Sequence, residues 1–303
     1  MRKQRPRRGA TLVELIVGVV VMTMVTTLAV SHIVRHLRSV NAISVALDLN
    51  GRLRDGADIL AADLRGISPL GDSLSVQSDT AVEFYSAIGT STLCATPSPN
   101  TLILPPDSLS SDRVLSSWVT EPEPGDDVLV FEDTTASGIA GWQRATVQAV
   151  ARLATSVVCP VSAGLLVPRD VAGAARSLQV QVAPALTLRS PRGAPVRIVR
   201  RVRYSVYRGG DRKWYLGYRR CSGSCASIQP VSGPYENVSG SPVSFRYFTA
   251  AGAPIFGSGT FTDVARVEVT PHAAYATPFQ LSGMSTAMLN DSLQLTVALR
   301  NRW

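Results

Sequence analysis

The feature that most constrains this chain is an apolar run near its N-terminus. Basic residues fill the opening segment MRKQRPRRG, and the run from Leu15 to Val34 then contains no Asp, Glu, Lys or Arg. About 20 residues of this kind are enough to cross the hydrocarbon core of a bilayer as a helix. Because the basic residues precede the run, the positive-inside rule predicts a cytoplasmic N-terminus and places the bulk of the chain outside.

Glu14 stands just before this run and needs an explanation. A charged carboxylate costs about 2.5–3.5 kcal/mol at the centre of a membrane helix, so it usually has a partner or a function. One interpretation is a stray glutamate at the membrane interface. An ordinary secretory signal fits less well, because no small-x-small cleavage site follows the run at the usual place.

The stretch RGATLVE resembles the cleavage and methylation motif of type IV prepilins, with Gly9 before the apolar segment and Glu14 at the fifth position after it. In that family a dedicated prepilin peptidase cuts after the glycine and methylates the new N-terminal residue. The resemblance implies removal of residues 1–9, cleavage between Gly9 and Ala10, and N-methylation of Ala10. The family usually has Phe where this chain has Ala10.

The same resemblance gives Glu14 a role in subunit assembly. Cleavage would create an ammonium group at Ala10. In a filament, that ammonium can meet the Glu14 carboxylate of a neighbouring subunit inside the apolar bundle, so that two costly charges satisfy each other and set the axial register.

The helical pattern continues past the membrane segment. No proline occurs between Gly9 and Pro69, and apolar residues recur every three or four positions on one stripe: Leu53, Ala57, Leu60, Leu64 and Ile67. The predicted organisation is a leader at 1–9, a helix at 10–68 with its transmembrane part at about 12–34, and a β-rich extracytoplasmic domain at 69–303. Gly51 and Gly56 weaken the helix locally and permit a bend there.

After Pro69 the apolar pattern changes to period two, which is typical of strands. Ten strands are predicted: Ala81–Tyr85, Thr101–Leu104, Asp127–Phe131, Ala145–Val150, Leu178–Val182, Val196–Tyr207, Lys213–Arg219, Val243–Phe248, Asp263–Thr270 and Ser292–Leu299. One long helix followed by antiparallel strands predicts an α+β fold.

Two of these strands form a predicted β-hairpin around Gly209-Gly210. Alternation assigns one face to apolar residues: Val196, Ile198, Val202, Tyr204, Val206, Trp214, Leu216 and Tyr218. Arg197, Arg201 and Arg203 take the other face. Arg200 breaks the alternation, which suggests an edge or a bulge.

Later segments resemble PilW-like minor pilins and the J-type pseudopilins of type II secretion. They are NGRLRDGADILAADLRGI, VSFRYFTAAGAP, DVARVEVT and LQLTVALRNR. The resemblance implies a non-enzymatic structural and assembly subunit of a pilus or pseudopilus, without a cofactor or metal, anchored in the bacterial inner membrane before assembly. Its implied partners are the prepilin peptidase, other major and minor pilins or pseudopilins, and the inner-membrane assembly platform.

The even number of cysteines suggests disulfides in an exported domain, and three pairings are open. The short CSGSC loop makes Cys221–Cys225 the easiest closure, which leaves Cys94 with Cys159. The spacing is unlike that of a zinc site.

Three other functions compete with the assembly function. A basic face with Arg197, Arg201, Arg203 and Arg212 would suit a DNA-binding minor pilin of a competence apparatus. Alternation assigns several of the interleaved aromatic residues to the apolar face, so nucleic-acid binding is not favoured.

The acidic turn with Glu121, Glu123, Asp126 and Asp127 could hold Ca²⁺, although its prolines favour a plain turn. The third alternative is an exported enzyme on a signal anchor. A hydrolytic triad outside the membrane-proximal helix could use only His272, whose neighbours in PHAAY offer no acidic partner.

Overall fold

A computed structural model of the chain describes residues 11–67, 74–110, 112–134, 139–172, 175–187, 191–222, 224–236, 240–257, 259–261, 264–274 and 290–299. The chain divides into two compact units. The first contains residues 1–51 and 274–291, and the second contains residues 52–273 and 292–303. The second unit is called the β domain below.

One long helix and many strands make up the described residues. The helices are α1 (Leu12–Arg65), α2 (Thr155–Val158) and α3 (Pro168–Ala172), with a 3-10 turn at Val161–Ala163. The strands are β1 (Leu74–Gln77), β2 (Ala81–Thr92), β3 (Ala95–Ser98), β4 (Thr101–Leu104), β5 (Ser117–Trp118), β6 (Asp127–Thr134), β7 (Ile139–Ala154), β8 (Arg176–Ala183), β9 (Pro195–Arg208), β10 (Trp214–Ser222), β11 (Ser224–Cys225), β12 (Gln229–Tyr235), β13 (Val243–Thr249), β14 (Pro254–Ile255), β15 (Gly259–Phe261), β16 (Val264–Ala274), β17 (Asn290–Ser292) and β18 (Leu295–Ala298).

The first part of α1 exposes its apolar side chains. Every side chain from Thr11 to Arg38 is exposed, including Leu12 at 76% and Leu28 at 70%. By length and composition α1 can cross a membrane. So large an apolar surface is rare on a soluble monomer and calls for lipid or a protein partner.

The last part of α1 carries the predicted stripe into the core of the β domain. Leu53, Ala57, Leu60, Leu64 and Ile67 are exposed by only 1, 2, 0, 0 and 4%. The helix ends at Arg65, and Gly66 accepts a backbone hydrogen bond from Ala87 of β2. The burial of this stripe is therefore a confirmed prediction, as is the α+β class of a long apolar helix followed by an antiparallel β domain.

Antiparallel pairing builds two sheets in the β domain. The larger has the strand order β15-β1-β2-β9-β6-β7-β8-β4-β3, with β10 and β12 continuing from β9, and the smaller is centred on β13 and β16. All ten predicted strands overlap observed ones. Seven observed strands are outside the predicted ranges: β1, β3, β5, β11, β12, β14 and β15. All but β12 have four residues or fewer, too short for a recognisable alternation.

Strand β9 organises the larger sheet. On one side it pairs with β2 from Pro195 to Ser205. On the other side it pairs with β6 over Val196–Val199 and then with β10 over Val202–Arg208, so it changes partner at Arg200. The predicted hairpin is present, because β9 and β10 are antiparallel neighbours in direct register.

At Gly56 the helix α1 packs closely against β12. A Cβ atom at Gly56 would overlap Ser232 Oγ and Tyr235 Oη, whereas one at Gly51 would meet nothing within 4 Å. The Tyr235 hydroxyl also donates to the Arg52 carbonyl oxygen (3.3 Å). Glycine at position 56 therefore permits close helix–sheet packing.

Gly56→Ala should destabilise the β domain by about 1–3 kcal/mol, because overpacking outweighs the gain in helix propensity. Gly51→Ala is the matched control and should be neutral or stabilise by up to about 1 kcal/mol. Urea unfolding of the full chain in detergent micelles measures both changes. Equal effects of the two variants would show that the packing argument is wrong.

Candidate functional site

The predicted processing site lies at the start of α1. Gly9 and Ala10 are outside the described residues, so the structure starts with Thr11 and Glu14. The Thr11 backbone N–H donates to Glu14 Oε2 (2.9 Å), and the Glu14 N–H donates to Thr11 Oγ1 (3.4 Å). This reciprocal pair is a capping box, which satisfies two N–H groups at the helix start.

The capping box gives Glu14 a local function in addition to the predicted subunit contact. The signal was present, because Thr and Glu three residues apart before an apolar run are typical of a helix start. Capping within one chain and pairing with an ammonium of another chain are compatible, since a carboxylate has acceptor sites for both.

Both disulfides favoured by the sequence are present. Cys94–Cys159 has a Cα–Cα distance of 5.9 Å and lies in a small apolar cluster with Ile103, Leu109 and Leu166. Cys221–Cys225 joins directly opposed residues of β10 and β11. The first crosslinks distant segments, and the second closes a hairpin.

The four arginines of the predicted basic surface have different environments. Arg197 lies 5.1 Å from the centre of the Trp142 ring, and Arg201 pairs with the buried Glu83 through Nε (2.5 Å). Arg203 follows two residues later on the same face of β9. Arg212 is in the hairpin turn with a φ of 64° and is exposed, so it does not extend the strand face.

Arg200 differs from the prediction. It has the same parity as Ile198 and Val202 and therefore lies on the apolar face, and β9 is paired on both sides around it. The bulge is in β2, between Ala87 and Gly89. Arg200 breaks the pattern because it is a buried charge at the point where β9 exchanges β6 for β10.

Asp126 is the partner of Arg200. The Arg200 Nε and Nη2 atoms donate to Asp126 Oδ1 and Oδ2, both at 2.8 Å, and the Asp126 side chain is fully buried. Hydrogen bonding to Asp126 raises the pKa of Arg200. This planar, two-bond arrangement is the strongest form of ion pair between these groups.

The other carboxylates of the acidic turn also meet guanidinium groups. Asp127 pairs with Arg144 at 2.7 Å, and Arg220 Nη2 lies 3.2 Å from Asp126. The remaining pairs are Glu121 with Arg152 and Glu123 with Arg220. Each of these carboxylates therefore faces a guanidinium group, and Arg220 is shared by Glu123 and Asp126. This arrangement stabilises a turn and differs from a Ca²⁺ site, in which carboxylate oxygens converge on one point.

A side-chain hydrogen bond links α1 to β9. The buried Tyr204 hydroxyl donates to Asp63 Oδ2 (2.6 Å). Burial raises the pKa of Tyr204, as does the neighbouring Asp63, so the phenol remains the donor. Burial also raises the pKa of Asp63, and the hydrogen bond from Tyr204 opposes that rise.

The raised pKa of Asp63 predicts a pH dependence. Because the folded-state pKa exceeds the unfolded one, the contribution of Asp63 to stability is full below the unfolded pKa and is lost as pH rises through the folded pKa. Asp63→Asn should therefore gain stability relative to the native chain as pH rises from about 4 to neutrality. Urea unfolding at several pH values measures this, with the exposed Asp58→Asn as control, and an unchanged difference between Asp63→Asn and the native chain across pH would contradict it.

His272, the candidate catalytic residue, lies in β16. Its backbone N–H donates to the Pro242 carbonyl oxygen (2.9 Å), and its own carbonyl oxygen accepts from Glu236 N–H (3.0 Å). A cavity of about 500 Å³ is lined elsewhere, by Asp107, Ser108, Ser110, Arg152, Ala175 and Arg176. His272 and this cavity are therefore separate features of the β domain.

No protein-family model matches the chain, and no curated protein or solved structure is detectably similar to it.

Proposed function

We propose that this chain is a minor subunit of a type IV pilus or of a related type II secretion pseudopilus. In this proposal a prepilin peptidase removes residues 1–9, α1 anchors the protein in the bacterial inner membrane, and the β domain lies outside. Assembly then moves the subunit into a filament with other pilins or pseudopilins. The protein acts as a structural and assembly subunit.

The observation that carries the proposal is the composition of α1. One helix combines a membrane-length apolar segment, exposed at every described residue from Thr11 to Arg38, with a stripe that is buried in the β domain. A cleavable signal needs only the first feature. A filament subunit needs both features. Its exposed apolar segment must be covered by lipid before assembly and by neighbouring helices afterwards, and its buried stripe holds the β domain to the same helix.

The size of the β domain supports a minor position. A bulky domain is difficult to repeat at every step of a helical filament, for steric reasons. We therefore place the subunit at a filament tip, where it would contact other minor subunits.

N-terminal processing tests this proposal directly. The full chain is produced with a prepilin peptidase, extracted from membranes, and characterised by N-terminal sequencing and intact mass. The expected protein begins at Ala10 and carries one added methyl group, and Gly9→Leu should leave the leader attached. A native chain that still begins at Met1, or that is trimmed beyond Val30 and released as a soluble protein, would overturn the proposal.

Two variants separate the two roles of Glu14. Glu14→Gln keeps an N3 side chain that can complete the capping box but removes the charge, whereas Thr11→Ala removes the N-cap oxygen and keeps the charge. We expect Glu14→Gln to lose recruitment into filaments, because the Ala10 ammonium of the neighbouring subunit is left unpaired.

Thr11→Ala should weaken the helix start by about 0.5–2 kcal/mol and still be recruited. Immunoblots of sheared filaments, compared with membrane levels, measure recruitment. The reverse result, loss for Thr11→Ala alone, would assign Glu14 to capping only.

A further inference from the structure

Two arginines face each other across the hairpin on the side opposite to Tyr204. Arg203 of β9 and Arg219 of β10 are direct cross-strand partners. Both are partly exposed. Like charges directly opposite one another in a sheet are destabilising, so this pair is costly to the fold by itself.

Neither arginine of this pair forms an ion pair with a described carboxylate. Glu83 lies opposite Arg203 in the register of β2 and β9, but it forms its ion pair with Arg201. No hydrogen bond or ion pair joins Arg203 or Arg219 to another described residue, and the Nε atoms of both are shielded from solvent without a partner. Arg200 and Arg220 in the same two strands both meet carboxylates.

On the face of the arginine pair, the next row towards the hairpin tip is Ser205 with Gly217, and the row after it is aromatic. Tyr207 and Tyr215 are the cross-strand pair nearer the hairpin tip, with ring centroids 5.8 Å apart. Their rings lie over strand glycines, since a Cβ at Gly217 or Gly233 would approach them within 3 Å. Partly exposed arginine beside rigid tyrosine is the composition that protein–protein interfaces favour.

We propose that Arg203 and Arg219 form a docking site for carboxylates of an acidic segment on a partner protein. Guanidinium groups match carboxylates through two parallel hydrogen bonds, and Arg200 of β9 already binds Asp126 in this way. An acidic partner would also remove the repulsion between the two arginines. This inference does not depend on the filament proposal.

Charge distribution favours an acidic protein segment over a nucleic acid. Nucleic-acid strands bind along an extended positive groove that follows the phosphates. Here Glu83 lies on one side of the pair, and Asp211 is at the hairpin tip, where it accepts a hydrogen bond from Tyr215 (2.8 Å). Because Glu83 neutralises the neighbouring Arg201, the unpaired positive charge next to it is concentrated on Arg203 and Arg219, which suits one or two carboxylates.

Fluorescence anisotropy with a labelled oligoglutamate peptide tests the site on the full chain in detergent micelles. The variant Arg203→Gln/Arg219→Gln should bind the peptide at least about tenfold more weakly, because charge-assisted bonds are lost. The matched control Arg208→Gln/Arg212→Gln removes the same charge at the hairpin tip and should change affinity less than about twofold.

Thermal unfolding shows whether the first variant folds, and it should be no less stable than the native chain because the repulsive pair is gone. If it does not fold, Arg203→Lys/Arg219→Lys keeps the charge and removes the planar fork, and it should also bind measurably more weakly. Three results would overturn the proposal: no peptide binding by the native chain, equal losses in the first variant and its control, or tighter binding of oligothymidylate through the same arginines.

Discussion

Asp126→Asn should lower the free energy of unfolding by about 3–5 kcal/mol, the usual cost of removing one partner of a buried ion pair. Asp126 is fully buried and receives two hydrogen bonds from Arg200 at 2.8 Å. Its loss leaves the Arg200 guanidinium, whose side chain is only 10% exposed, without its main counter-charge. We expect a large loss of stability because this ion pair also lies where β9 changes its pairing partner from β6 to β10.

Asp127→Asn is the matched control for Asp126→Asn. It changes the same residue type one position later, where the Arg144–Asp127 pair is more exposed, at 29 and 13%. We expect at most about 1 kcal/mol from this change. Urea unfolding of the full chain in micelles, followed by tryptophan fluorescence, measures both, and similar losses at the two positions would contradict the special role of Asp126.

Removing the Cys94–Cys159 disulfide should destabilise the chain by about 4 kcal/mol, compared with about 2 kcal/mol for Cys221–Cys225. The chain-entropy argument gives this order, because the sequence separations are 65 and 4 residues. The longer crosslink constrains the unfolded chain more. It also lies within an apolar cluster, so its sulfur atoms contribute to packing.

The paired variants Cys94→Ala/Cys159→Ala and Cys221→Ala/Cys225→Ala measure these contributions separately by urea unfolding. Each keeps the other disulfide, which thiol labelling under denaturing conditions verifies. A larger loss for the Cys221–Cys225 pair would show that the loop-length argument does not govern this domain.

Patterns that are local in sequence were sufficient for much of the fold. Helical spacing alone predicts the stripe from Leu53 to Ile67. Its burial follows because the apolar face of such a helix packs against a domain core. The hairpin around Gly209-Gly210 was identified from alternation and turn residues. The disulfide pairing follows from the short CSGSC loop, which favours Cys221–Cys225 and leaves Cys94 with Cys159.

Pairing between distant residues could not be predicted in this way. Arg200 and Asp126 are 74 positions apart, and alternation alone treated Arg200 as an irregularity at an edge or bulge. Only the strand order of the larger sheet brings β6 beside β9 and places Asp126 next to Arg200. The position of Arg203 opposite Arg219 also depends on the register of the hairpin. A slip of one residue between β9 and β10 would separate the two arginines.

The sequence by itself determined that this chain has a membrane-length apolar helix, a second helical segment that must be buried, and strands that must pair. These properties depend on the polarity of residues close together in the chain, so periodicity is enough to define them. The tertiary structure alone decided which charges are buried together and which have no ion-pair partner among the described residues. Electrostatic pairing requires side chains to meet in space, and strand order and register set those meetings.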